Sequence, residues 1–102
     1  MASKQFTVRY LPVAQEDLAG IADWIAQDSP ARAISFIQKL DQKVSHLASA
    51  PMLGQQPRHF GLAAKSYRVL IVETYLVFYK ISGSLVMIYR VVHGARDLEA
   101  LL

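Results

Sequence analysis

The spacing of apolar residues changes character twice along this chain, and each change marks an element boundary that few folds accommodate. Phe6, Val8 and Tyr10 alternate with Gln5, Thr7 and Arg9, the period of two expected of a half-buried strand. Pro12 ends that pattern and suits the first residue of a helix. From Ala14 the apolar residues recur at steps of three and four, through Leu18, Ile21 and Ile25, the stripe of an amphipathic helix reaching about Asp28. Glu16 and Asp17 are expected in its first turn, where the helix dipole favours carboxylates. Ser29-Pro30 then reads as an N-cap followed by proline at the first helical position. A second stripe of Ala33, Phe36, Ile37, Leu40, Val44 and Leu47 predicts a helix to about Ala50. So short a link folds the two helices into an antiparallel hairpin.

Residues 51–64 contain Pro51, Gly54, Pro57 and Gly61 with no period, and are expected to be a loop. Tyr67–Val72, Tyr75–Ile81 and Leu85–His93 are rich in valine, isoleucine and tyrosine and predict three strands, separated by Glu73-Thr74 and by Ser82-Gly83-Ser84. Residues 95–102 predict a short terminal helix or turn. The order β-α-α-β-β-β(-α) describes a two-layer α+β fold, with a helical hairpin packed on a largely antiparallel sheet, in a single domain spanning residues 1–102.

Side chains alternate across a strand, so the expected hairpins sort the residues into two faces. Arg68, Leu70, Val72, Tyr75, Val77 and Tyr79 share one face, and a three-residue loop at Ser82–Ser84 adds Leu85, Met87, Tyr89, Val91 and His93. Val69, Ile71, Leu76, Phe78, Val86, Ile88 and Val92, with Lys80 and Arg90, form the other. The second is expected to receive the helices, where Asp17 offers Arg90 a carboxylate for a structural ion pair. The first combines tyrosine, methionine and arginine, the composition of an interface. Trp24, off the main stripe of the first helix, is expected to be an exposed contact residue.

Composition supports a partner. Of the 102 residues 53% are hydrophobic and 19% charged, and so small a domain cannot hide that much apolar surface. The net charge of +3 arises after Pro57, where Arg58, Lys65, Arg68, Lys80, Arg90 and Arg96 outnumber Glu73, Asp97 and Glu99; an anionic target or an acidic partner fits. With no cysteine, thiol chemistry and cysteine-ligated metals are excluded. His46 and His59 lack ligand spacing, so neither metal nor cofactor is expected. The N-terminus lacks a signal-peptide pattern and no run is long enough to span a membrane; the expected location is the cytoplasm.

Four stretches resemble the RelE/ParE toxin superfamily of type II toxin–antitoxin and plasmid-stabilisation systems. They are Leu11-Pro12-x-Ala14-x-x-Asp17-Leu18 with Ile21 and Ile25; Leu47-x-x-x-Pro51-x-x-Gly54; Tyr67-Arg68-Val69 with Tyr75-x-Val77-Phe78-Tyr79; and Ile88-x-Arg90-Val91-Val92-His93-Gly94-x-Arg96-Asp97-Leu98. The closing His93-x-x-Arg96-Asp97-Leu98 is more similar to the ParE side. The resemblance implies a toxin held in a hetero-oligomer by a cognate antitoxin that wraps an amphipathic segment over it. ParE-like members inhibit DNA gyrase; RelE-like members cut mRNA on the ribosome.

Metal-independent RNA cleavage needs a base, an acid and cations at one phosphate. Arg68 matches a catalytic arginine of RelE-like members, and His93 is of the residue type that serves as acid or base. The dense lysine and arginine cluster of ribosome-dependent nucleases is missing, and their terminal catalytic aromatic is not expected after Leu102. The expectation is therefore a gyrase inhibitor acting by binding, with the mRNA interferase and a non-toxic antitoxin-binding module as alternatives. The candidate contact residues are Trp24, Arg68, Tyr75, Tyr79, Met87, Tyr89, His93 and Arg96.

Overall fold

The computed structural model describes residues 5–56 and 66–94. The expected terminal helix with Arg96, most of the expected loop beyond Gln56, and His59 lie outside them. Strand β1 spans Thr7–Tyr10 and helix α1 Pro12–Ala26, with proline in its first turn. Because α1 begins at Pro12, Glu16 and Asp17 fall in its second turn rather than its first, away from the unpaired backbone N–H groups that carry the dipole effect. Helix α2 spans Pro30–Ser45, and the Ser29 hydroxyl caps it by accepting from the Arg32 N–H at 3.2 Å. It ends before Ala50, tightening into a 3₁₀ turn at His46–Ala48. Pro51 disfavours helical geometry at the residue before it, and Ala50 accordingly leaves the helical region, at φ −138° and ψ 68°. A second 3₁₀ turn occupies Pro51–Leu53, inside the segment expected to be irregular. No helix among the described residues is long and apolar enough to cross a membrane.

Strands β2 (Arg68–Val72), β3 (Tyr75–Ser82) and β4 (Leu85–His93) form a meander. The sheet order is β1-β4-β3-β2, with β1 parallel to β4 and the other pairs antiparallel. The β2–β3 register sets Arg68 opposite Tyr79 and Val72 opposite Tyr75, as a two-residue turn at Glu73-Thr74 requires.

The face assignment is corrected at β4. Its turn is Gly83-Ser84, with Gly83 at φ 60°, so Leu85 pairs with Ser82 and the register moves by one residue. Tyr89 is then an extra residue on β4, between Ile88 opposite Tyr79 and Arg90 opposite Phe78. This bulge returns Val91 and His93 to the face of Val77 and Tyr75, whereas Met87 and Tyr89 lie on the reverse. The helices cover the face expected to be open. Ala14, Phe36, Leu40, Val44 and Leu47 pack on Leu70, Val72, Val77, Tyr79, Val86, Ile88 and Val91. On the reverse face Tyr67, Phe78 and Val92 form a second cluster, with Val69, Leu76 and Tyr89 packed against it. Lys80 Nζ lies 4.4 Å from the Tyr67 ring centre and 5.2 Å from that of Tyr89.

Polar side chains enter the helix-covered face because their polar tips find backbone. Tyr79 is wholly buried, yet its hydroxyl donates to the Pro51 carbonyl and accepts from the Gly54 N–H, both at 2.8 Å. Arg68 donates to the Gly54 carbonyl from Nε at 3.0 Å and Nη2 at 2.7 Å, and to the Met52 carbonyl at 3.1 Å. Tyr79, expected to be a surface contact, is instead a core residue that holds this corner. Gly54 is required for space: a Cβ there would meet the Tyr79 hydroxyl at 2.5 Å and the Val69 carbonyl at 2.8 Å.

Gly54→Ala is expected to destabilise the fold by about 1–3 kcal/mol or more through overpacking. Tyr79→Phe, which strands the Gly54 N–H and the Pro51 carbonyl, should cost about 1–3 kcal/mol. Urea unfolding checks both, and a fall in Tm of roughly 4–8 °C per kcal/mol should accompany each.

Candidate functional site

β1 ends at Tyr10, and the last contact of that edge is the Leu11 N–H donating to the Ile88 carbonyl at 2.9 Å. Past it, β4 has no neighbouring strand on that side. The Asp17 carboxylate takes the vacant place, accepting from the Val91 N–H at 3.0 Å. It also receives the Arg90 fork, from Nε at 2.7 Å and Nη2 at 2.9 Å. The sequence-predicted Asp17–Arg90 pair is therefore a three-bond clamp between α1 and the β4 bulge. Its hydrogen bond to Asp17 raises the pKa of Arg90, against the opposing effect of burial.

Beside this clamp, α1 and the ends of β3 and β4 leave a cleft of about 650 Å³. Glu16, Gly20, Ile21 and Trp24 form its helical wall; Tyr75, Val92 and His93 line the sheet side. A second hollow of about 320 Å³ continues towards α2 and the β2–β3 turn, adding Asp28, Arg32, Glu73 and Thr74. Trp24, Tyr75 and His93 border both hollows, which makes them one groove. The Tyr75 ring packs against Phe36 at 5.0 Å and edge-on against His93 at 5.4 Å between ring centres. Trp24 is 68% exposed, a large ring left in water at the lip. At the α2 end, Glu73 faces Arg32 at 3.7 Å and Lys39 at 3.5 Å, surface pairs of small energetic weight.

Of the residues singled out in the sequence, Trp24, Tyr75 and His93 meet at this groove. Arg68 and Tyr79 are gathered at the Gly54 corner, Met87 and Tyr89 lie on the reverse face, and Arg96 is outside the described residues. Arg68 pairs with Tyr79 and His93 with Tyr75 across β3, which sets them about 13 Å apart along that strand and on opposite sides of it. They do not meet at one reacting group. Among the described residues no group of three histidines or carboxylates is placed to hold a metal ion. Sequence reasoning missed Glu16, Gly20 and Asp28. The available signal was the four-residue recurrence of Glu16, Gly20 and Trp24, which sets them on one helix face.

A family model described as the ParE toxin of the type II toxin–antitoxin system parDE matches residues 8–98. Among solved structures, the chain is similar to one from the chromosomal ParDE system of P. aeruginosa, with a TM-score of 0.74 and 19% identity over 89% of this chain and 98% of that one. It is also similar to a chain of the RelBE2 toxin–antitoxin complex from Mycobacterium tuberculosis, with a TM-score of 0.58 and 25% identity over 87% of this chain and 98% of that one. No curated protein sequence matches significantly.

Asp17→Asn leaves Arg90 without its countercharge. The expected loss is about 3 kcal/mol, the low end for a buried pair, since both side chains keep some contact with water. Denaturant unfolding measures it, and Asp17→Ala, which also strands the Val91 N–H, should cost more.

Proposed function

The chain belongs to the ParE toxin family of type II toxin–antitoxin systems, and on that premise we propose that it inhibits DNA gyrase by binding and is held inactive by a cognate antitoxin. The observation that carries the binding reading is the separation of Arg68 from His93. Phosphodiester cleavage needs a base, an acid and charge stabilisation within hydrogen-bond reach of one phosphate. Here the guanidinium of Arg68 is spent on the carbonyls of Met52 and Gly54, while His93 packs on Tyr75 at the other end of the sheet. Exposed Trp24 beside Tyr75 and Ile21 has the aromatic and aliphatic character of a protein-binding surface. The ParDE and RelBE2 relatives come from toxin–antitoxin systems, which supports an antitoxin as the regulating partner. Gyrase and antitoxin alike put the site of action in the cytoplasm.

Purified protein added to gyrase should abolish supercoiling of relaxed plasmid, and added antitoxin should restore it. Primer extension on translated messages in cells expressing the chain should show intact transcripts. Normal supercoiling with cut messages would establish the RelE-like mRNA interferase instead. Normal supercoiling with unimpaired growth would leave a non-toxic antitoxin-binding module.

A further inference from the structure

The wall of the groove has a charge pattern and a gap in side-chain cover that the fold itself does not explain. Between Arg9 and Arg32 the chain carries no lysine or arginine, but holds Glu16, Asp17, Asp23 and Asp28. Asp17 is paired with Arg90, and Arg32, which lines the groove beside Asp28, is paired with Glu73. Exposed Glu16 and Asp28 stand towards the two ends of the groove and have no such ion pair among the described residues. They are twelve residues apart, about 18 Å at the helical rise. Between them, one turn beyond Glu16, lies Gly20 in the interior of α1, where glycine costs about 1 kcal/mol relative to alanine. A Cβ at Gly20 would meet no atom within 4 Å, so packing within the described residues does not demand glycine. Trp24, one turn further on, is the chain's single tryptophan and stands in water.

A bare notch beside an exposed indole, flanked by carboxylates, is the negative image of a particular partner. We propose that this groove seats a segment of the antitoxin that presents apolar side chains against Gly20 and Trp24, flanked by lysine or arginine facing Glu16 and Asp28. The inference rests on the antitoxin-regulated reading above and adds where and by what chemistry the antitoxin is held. Gly20 lets the segment approach the helix backbone, Trp24 supplies apolar area, and the two acids select a basic segment by charge and set its register. The groove length accommodates about three turns of helix.

The test co-expresses the chain with the product of the reading frame beside its own, and then measures the dissociation constant of the purified partners. Gly20→Leu fills the notch, and the pair Glu16→Lys with Asp28→Lys reverses the end charges. Gly20→Ala should raise Tm, and a melt confirms that each binding variant remains folded. Gly20→Leu and the charge reversal should each weaken binding by at least about tenfold. The single resonance of fluorotryptophan-labelled chain should shift on complex formation. Unchanged affinity in both variants, or an unmoved resonance, overturns the groove assignment while leaving the antitoxin reading intact. Failure of the unaltered chain to bind its neighbour's product overturns both. Variants that keep the antitoxin but lose gyrase inhibition assign the groove to the target and overturn the proposal.

Discussion

The Asp17 carboxylate, set against the backbone of β4 where β1 stops, is the contact on which the arrangement of the two layers depends. A strand that loses its neighbour exposes an N–H that needs an acceptor, and here a side chain from the helix above supplies it. The same carboxylate meets the Arg90 guanidinium, so one group satisfies the sheet edge, neutralises a half-buried cation and fixes α1 over β4. The clamp acts beside an apolar seam, since Ala14, Leu18, Ile21 and Ile25 of α1 all pack into the core. Glu16, Gly20 and Trp24 fall on the neighbouring side of the helix and line the groove at the sheet end.

A second polar anchor works at the opposite corner. Tyr79 and Arg68 reach from the sheet into the backbone of residues 51–54, tying the segment after α2 to β2 and β3. The isolated bridge between Gln55 and Val69 extends that attachment along the edge of β2. Residues whose composition reads as an interface are here an internal one, between the sheet and the chain's own loop. Buried tyrosine and arginine carry no information on which surface they serve until their hydrogen-bond partners are known.

Element order was legible because each signal is local. Alternation over residues 5–10, the stripes of α1 and α2, Ser29-Pro30 and the two hairpin turns each depend on a few neighbouring residues. The site was legible in part. Trp24 stood out because it broke the apolar stripe, and Asp17 with Arg90 because burial of either demands the other. Gly20 and Glu16 carry meaning only once α1 is seen to leave one face uncovered.

What the sequence by itself determined is the set of elements, their order, and the membership of the β2–β3 hairpin faces, since these follow from periodicity and turn length. Tertiary structure alone decided which sheet face the helices cover, and it also moved the outer half of β4 by one residue of register. A two-residue turn at Gly83-Ser84 and a bulge at Tyr89 reverse the outer half of β4 and restore the inner half. No periodicity within β4 distinguishes those outcomes, because its residues are apolar on both faces. The choice falls to long-range contacts: the Tyr79 hydroxyl finding Pro51 and Gly54, and the Asp17 carboxylate finding Val91.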